Sequence, residues 1–588
     1  MNQKIKKIPY GQAEFGTLRK DNCYYVDKTR FIPLLEASSR YIFFIRPRRF
    51  GKSLWLSVLQ YYYDINDKDR FEEMFGGTYI FDHPTEDRNS YLIMTFNFAA
   101  VNPDPVYIRE SFEDNGRAVV EDFLERYPQY FSQSKRKEIL SIPTTEGLLR
   151  RIFSCTARDR LKLYMFIDEY DNFANTILST SGKDKYEKLT RGQGFFRFFF
   201  NLLKTATSEK GSGLDKLFIT GVSPVTMDDV TSGMNIGKNL TRSDKFNELM
   251  GFTGEEVRTF LTYYAPAEMS DRNILTCLEV MKLWYDNYKF SNNAENVLFN
   301  SDMVLYCLME LSDTGRLPED MIDQNIRIDY TKLRHLMLTD RKLNGNFSEL
   351  KKIIETGETQ CQLQASFPLE HLTCHQNFIS LLFYFGLLSI RTVQGERQLL
   401  SIPNITVKKL MYGYIRDAFD DTDIFRIDIW ELAGMVHEMA YCGDWKPVFR
   451  FIAEEIKEQT SVRNYLDGER AVQMFLLAYL NISNYYLCQT EREISKGYAD
   501  IFLEPFLAKF PDIKYGYLIE MKYIKRSEYS EAMKHEKIRQ AENQLQKYAN
   551  DEKLKKLTRD YTLKRLILIY KGWELVHDSE MISEIDEG

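Results

Sequence analysis

Between Tyr41 and about Phe252, short apolar runs alternate with longer stretches of amphipathic, helical spacing. The runs Tyr41–Ile45, Tyr91–Phe98, Leu161–Ile167 and Leu217–Thr220 read as strands. Strands separated by helices predict an α/β domain with a largely parallel sheet. From about Glu255 to Asp444 the pattern turns mostly helical. Within it, Phe378–Ile390 leads into Arg397–Pro403 as a helix and hairpin of winged-helix type. Strands and helices mix again from Trp445 onward. The expectation is a multidomain α/β chain divided at residues 1–254, 255–444 and 445–588, since 588 residues exceed what one core holds.

Composition narrows the class. A net charge of −7 excludes a protein coated in positive charge, so contact with nucleic acid must come from local patches. The eight cysteines are scattered without a CxxC pair, which predicts small buried residues in a reducing compartment. The N-terminus lacks the apolar core of a signal peptide, and the greasiest stretch, Leu381–Ile390, is too short to span a bilayer. A cytoplasmic location with no membrane partner is expected.

Candidate chemistry begins at Tyr41–Ser53, YIFFIRPRRFGKS, where an apolar strand, a basic turn and Gly51-Lys52-Ser53 open an amphipathic stretch. Backbone N–H groups from Arg49, Phe50 and Gly51 onward, with the helix dipole, can accept phosphate oxygens. Lys52 adds charge between β- and γ-phosphates, and the Ser53 hydroxyl can ligate Mg²⁺. The usual pattern has glycine where Arg46 stands, so a basic turn with an incidental GKS is the rival reading. An apolar strand ending in acid should complete an ATP site, and Leu163–Ile167 followed by Asp168-Glu169 supplies it. Asp168 can hold Mg²⁺ and Glu169 can polarise the attacking water. A third strand ends in Thr220 and Ser223, either of which can sense the γ-phosphate or simply close a turn. Arg242 and Arg258 are candidate transition-state fingers that the sequence does not separate from surface residues.

The C-terminal third carries a second constellation. Gly497-Tyr-Ala-Asp500 is a turn that enters a strand with a carboxylate at its mouth. Tyr515–Lys522 is an apolar strand ending in Glu-x-Lys, and residues i and i+2 share a face, so Glu520 and Lys522 point together. Asp500 and Glu520 can bind Mg²⁺ or Mn²⁺, while Lys522 orients or helps deprotonate water, as metal-assisted phosphodiester hydrolysis requires. Glu469, on the helical stretch Glu469–Leu480, can add a metal-shell carboxylate, and Gln544 can face the site from Ala541–Ala549. The strand Leu563–Tyr570 would complete an αβββαβ core. A lone Glu-x-Lys is ordinarily a solvated face; the order of all these parts raises it above that. From Lys522 to Lys571 there are fourteen Lys and Arg against seven acids, a surplus that fits either a DNA-facing patch or a solvated helix.

Together the segments Tyr24–Thr29, Arg46–Ser53, Phe166–Asp171, Ile219–Ser223, Ser232–Asn235, Gly251–Glu256 and Trp284–Phe290 resemble an AAA-ATPase-like family of bacterial proteins. That family is commonly fused to a PD-(D/E)XK nuclease-like domain. It characteristically carries Arg at the first glycine position, so Arg46 becomes a match. Asp500, Glu520 and Lys522 match the nuclease motif; Glu469 and Gln544 match it more weakly, and Tyr498-Ala499 stands where many relatives have Arg. The resemblance implies an AAA/ASCE-like P-loop domain, a helical, winged-helix-like middle and a restriction-endonuclease-like end. It further implies an ATPase whose Mg²⁺-dependent endonuclease domain acts on nucleic acid, with DNA the expected substrate and a homo-oligomer allowed. The rival is an ATPase-gated sensor whose C-terminal domain binds nucleic acid without cutting it. A third reading, nucleotide as a structural ligand only, is opposed by the intact Lys52, Asp168 and Glu169.

Overall fold

A computed structural model describes residues 5–104, 106–172, 194–208, 212–224, 237–265, 270–331, 338–339, 342–343, 345–368, 374–494, 497–549 and 551–581. The Ser232–Asn235 segment lies outside them.

The chain forms two compact units, Met1–Pro318 with Thr359–Asn404 and Glu319–Glu358 with Ile405–Gly588. The first contains β1 (Tyr41–Ile45), β2 (Leu92–Asn97), β3 (Leu163–Asp168), β4 (Leu214–Gly221) and the short β5 (Lys238–Asn239). They pair in parallel in the order β2-β3-β4-β1-β5. All six residues of β3 are buried, as expected of a parallel sheet covered on both faces. The order inserts β4 between the loop-bearing β1 and the acid-bearing β3, the arrangement of the ASCE class of P-loop folds. Because Ile45 pairs with Gly221 and Ile167 with Ile219, the three strands end at one edge. Ligands of parallel sheets bind at that edge. Helix α1 (Lys52–Tyr63) leaves it through Gly51, whose φ of +90° a side chain would resist.

The same unit holds the expected helix and hairpin. Here β9 (Ser389–Gln394) and β10 (Arg397–Ser401) pair antiparallel after helix α2 (His375–Tyr384), with β8 (Glu358–Cys361) on the far edge of β10. A two-stranded ladder of the second unit, β6 (Leu338–Thr339) and β7 (Lys342–Leu343), precedes them in the chain.

The second unit is built on β11 (Tyr486–Ile494), β12 (Gly497–Pro505), β13 (Tyr515–Ile524), β14 (Thr562–Lys571) and β15 (Glu574–Glu580), ordered as numbered. Only β13–β14 is parallel, as it must be when a helix crosses over between the strands. Helices α4 (Glu469–Leu480) and α5 (Glu531–Ala549) pack against β13, completing the αβββαβ order with β15 added. Every residue of Ala471–Leu480 is buried, because α4 is covered by α3 (Ile405–Asp421), by helix Gly345–Thr356 and by the sheet.

That packing departs from the boundaries at 254 and 444. The segment 255–444 is divided between the two units, and the C-terminal unit takes α3. Phe419 of α3 lies 6.1 Å from Phe475, Lys409 donates to Asn481 O (3.3 Å) and Ser483 O (2.7 Å), and Arg416 donates to Ala478 O. These cations satisfy the carbonyls that the C-terminus of α4 leaves open and complement its dipole. Each such bond contributes about 1.5–3 kcal/mol, more than a surface contact. A fragment spanning 405–588 should therefore melt roughly 5 °C or more above one spanning 445–588. Equal midpoints in calorimetry would show that α3 is not part of this unit.

Candidate active sites

At the edge of the first sheet, Lys52 reaches back over the loop and its Nζ donates to Pro47 O at 3.0 Å. Burial lowers its pKa, against the pull of Glu169 and Asp168. Ser53 Oγ donates to Asp168 Oδ2 at 2.7 Å, and the Glu169 N–H donates to Asp168 Oδ1 at 2.9 Å. Burial raises the Asp168 pKa and Glu169 adds to it, while Ser53 and Lys52 oppose. The arrangement fits a nucleotide with a divalent ion. A Cβ on Gly51 would meet nothing within 4 Å, which leaves an open cradle, and two hard oxygen donors stand together beside a buried ammonium.

Arg49 and Phe50 can offer the cradle only their backbones. Arg49 pairs with Asp302 at 2.8 Å, and Phe50 packs edge-on against Tyr288 and Phe290. Glu169 is half-buried with φ +51°. The Thr220 hydroxyl donates to Phe44 O at 2.6 Å, so it ties β4 to β1. Ser223 is fully buried, and its N–H donates to Asp171 Oδ2 at 2.6 Å. Arg242 donates to Leu363 O and Asn292, whereas Arg258 is exposed.

Sequence reasoning passed over Asp171 and Tyr170. Asp171 also accepts from Val222 N, and burial pushes it up to about 6; the Tyr170 hydroxyl donates to Ser223 O at 2.5 Å. These two residues lock the acid-bearing strand end to the end of β4. A Cβ on Gly221 would stand 2.3 Å from Asp171 Oδ1, so that glycine is required by close approach. The spacing of Asp171 from Asp168 was the available signal.

In the second unit, Lys522 Nζ lies 2.5 Å from Glu520 Oε1 and 3.6 Å from Asp500 Oδ2. Asp500 Oδ2 also accepts the Met521 N–H at 2.8 Å, which brings the mouth of β12 onto β13. Glu520 is wholly buried, and its Oε2 has no hydrogen-bond partner among the described residues. Burial raises the pKa of both carboxylates; Asp500 raises Glu520 further, while Lys522 lowers both. Burial pulls Lys522 down, but Asp500 and Glu520 outweigh it and the net shift is upward. The expected role of Lys522 in deprotonating water is thereby narrowed: it stays an ammonium, able to orient and stabilise charge.

Two hard carboxylates with an orphaned oxygen fit a divalent ion. Glu469 does not complete a triad: among the described residues no group of three or more His, Cys, Asp or Glu could hold a metal. It sits exposed at the head of α4 with its carboxylate on the Tyr523 N–H, and local burial and Asp500 raise its pKa. Two further neighbours escaped the sequence. The Gln473 amide donates to Asp500 O, and buried Tyr548 is pushed up to about 12 by burial, then by Glu520 and Asp500. Gln544, half-buried, lies one turn before Tyr548 on the same helix face. The basic surplus is partly neutralised, because Lys525, Lys534, Lys555, Lys564 and Lys571 each pair with a glutamate.

Residues 9–231 match the family model described as predicted AAA-ATPase, and residues 467–580 match the PD-(D/E)XK nuclease superfamily. The chain carries both domains. A curated relative from Azotobacter chroococcum mcd 1, described as an uncharacterized protein in the vnfD 5' region, is 24% identical over 297 residues. The match covers 49% of this chain and 50% of the relative, so the chain spans about half the relative's length. Among solved structures, the Walker-type ATPase PABY2304 of Pyrococcus abyssi aligns with TM-score 0.37 and 11% identity, over 65% of this chain and 94% of that one. The Aeropyrum pernix ORC2 protein in its ADP form aligns at 0.29 and 11%, over 72% and 97%. With TM-scores below 0.5, neither likeness bears on the assignment. No helix among the described residues is long and apolar enough to cross a membrane.

Two outcomes follow. Lys52→Ala should sharply weaken ATP binding, whereas Glu169→Gln should spare binding and slow turnover about 100-fold; equal ATPase rates in wild type and both variants would contradict the site. Glu520→Gln should raise the melting temperature in EDTA. Because the folded-state pKa of Glu520 lies above its unfolded value, the folded form holds the proton longer, so stability falls as pH rises between the two. The advantage of Gln should therefore grow from pH 5 to pH 8, and a wild type that is the more stable at the higher pH would contradict this.

Proposed function

We propose that this protein hydrolyses ATP at the Lys52–Asp168–Glu169 edge and cleaves nucleic-acid phosphodiester bonds, with DNA the expected substrate, at Asp500, Glu520 and Lys522. The observation that carries the nuclease half is the wholly buried Glu520 beside the half-buried Asp500, with Lys522 in contact with both and one carboxylate oxygen of Glu520 unpartnered among the described residues. Two carboxylates that share one ammonium, one of them wholly buried, are suited to gathering positive charge at one point, which is where a phosphodiester must be neutralised before attack.

In the nucleotide site, Lys52 provides the charge that meets the phosphates, and Ser53 with Asp168 would hold the divalent ion. Glu169 is placed to orient a water toward the terminal phosphoryl group. In the second site, Asp500 and Glu520 would hold the ion. Lys522 stays protonated, orients the attacking water and offsets the negative charge that builds on the phosphoryl oxygens. Water adds its oxygen to phosphorus, the bond to the leaving oxygen breaks, and the water proton passes to solvent or to the leaving group. When bound, the ion supplies Lewis-acid polarisation of the phosphoryl oxygen. Gln473 and the Met521 N–H keep Asp500 in place while this happens.

The test is incubation with linear, circular and single-stranded DNA and with RNA, with and without ATP and Mg²⁺ or Mn²⁺. Cleavage should require the metal and vanish in both Glu520→Ala and Lys522→Ala, while Glu520→Ala still binds DNA, because phosphate contacts do not come from carboxylates. A wild type that binds DNA and never cuts it under any condition would leave the sensor reading in its place.

A further inference from the structure

Arg46 occupies the position where a nucleotide loop ordinarily has its first glycine, yet its guanidinium is 1% exposed and packed away from the cradle. It lies between the rings of Phe44 and Phe290, 4.3 and 4.4 Å from their centroids. It donates to Ile45 O (3.0 Å), Thr241 O (2.7 Å), Phe246 O (3.0 Å) and Asn247 O (3.5 Å). Burying a cation without a carboxylate is costly, and here carbonyl dipoles and two ring faces take the carboxylate's place. A side chain that served only as filler would be apolar.

Three of the four carbonyls that Arg46 grips belong to one short segment, Thr241–Asn247, and further bonds tie that stretch of chain to the rest of the loop. Ile45 N donates to Thr241 Oγ1 at 3.0 Å, and Gly251 N donates to Phe50 O at 3.2 Å. Arg49 holds a left-handed φ of +66°, unusual for a side-chain-bearing residue, and its carbonyl accepts from Ser301 Oγ (3.1 Å) and Asp302 N (3.3 Å). The carbonyls of Arg49 and Phe50 are thus taken by neighbouring chain. In a trans peptide the N–H points opposite the carbonyl, so the amides of Phe50 and Gly51 face away from that neighbouring chain.

We infer that Arg46 is a positioning residue for nucleotide binding: its guanidinium anchors the start of the loop to Thr241–Asn247 and so holds the phosphate-binding amides in place. The inference rests on the nucleotide-binding reading above and gives Arg46 no contact with the phosphates. A glycine at this position would complete the usual loop pattern and, in this fold, remove the anchor.

The test uses the full chain with ATP and Mg²⁺, reading ATP affinity by titration, KM and kcat by turnover, and melting temperature without nucleotide. Arg46→Gly, which restores the ordinary glycine, should lose about tenfold or more in ATP affinity. Methylguanidinium at millimolar concentration should return part of that loss, whereas neutral urea at the same concentration should not. Arg46→Lys keeps the charge but not the planar fork. It should raise KM several-fold with kcat nearly unchanged, and this variant decides the matter if the glycine variant does not fold. ATP affinity at the wild-type level in Arg46→Gly, or an Arg46→Lys protein that melts lower with KM unmoved, would overturn the inference while leaving the loop reading intact. If wild type and Lys52→Ala bind ATP equally, the nucleotide-site reading itself fails, and the inference fails with it.

Discussion

A buried carboxylate with a second acid beside it must keep its proton or find a cation, and in the C-terminal unit the cation beside Glu520 and Asp500 is Lys522. At 3.6 Å, one unit charge acting on another contributes about 4–5 kcal/mol at an effective dielectric near 20. Asp500 raises the pKa of Glu520 against that pull, so one ammonium does not fully compensate both acids. Burial is the first cause of the upward shifts of Asp500 and Glu520, Asp500 adds to that of Glu520, and Lys522 offsets both only in part; the Glu520 Oε2 is left without a hydrogen-bond partner among the described residues. The rest of the unit serves this constraint. The antiparallel β12–β13 pairing brings Asp500 onto the Met521 N–H, α4 presents Gln473, and α3 closes α4 from behind.

The nucleotide edge meets the same problem differently. Asp168 and Glu169 are adjacent in sequence, and Lys52 with Ser53 arrives from α1 across β4 to compensate them. Lys52 donates to a loop carbonyl and not to either acid, so it is held where phosphates would meet it. In both units a sheet edge carries acid, and a cation from the same strand or from the neighbouring helix makes its burial tolerable. Both proposed sites thus coincide with places where the fold buries or half-buries acid.

Much of this was legible in the chain itself. Strands buried on both faces leave unbroken apolar runs, so β1 to β4 could be read closely; β5 is two exposed polar residues and left no run. In the second unit β13 and β14 were readable for the same reason. The polar run Cys488–Glu493 hid most of β11, and β15 alternates too weakly to stand out. The i, i+2 rule alone put Glu520 and Lys522 on one face. The domain boundaries were less legible, because nothing local in Ile405–Asp421 reveals that Lys409 and Arg416 cap a helix more than sixty residues away. Asp171, Gln473 and Tyr548 were missed for the same reason: their roles depend on strands and helices meeting in space.

Whether Asp500 and Glu520 gather a divalent ion decides between a cleaving and a merely binding domain. Crystals of the wild-type protein and of Glu520→Ala, soaked in Mn²⁺ and measured at an energy where manganese scatters anomalously, test this most directly. The account predicts an anomalous peak within ligand distance of both Asp500 and Glu520 in the wild type, and none there in the variant. A fully soaked wild-type crystal with no peak at that pair, or a peak that persists unchanged in Glu520→Ala, would contradict it.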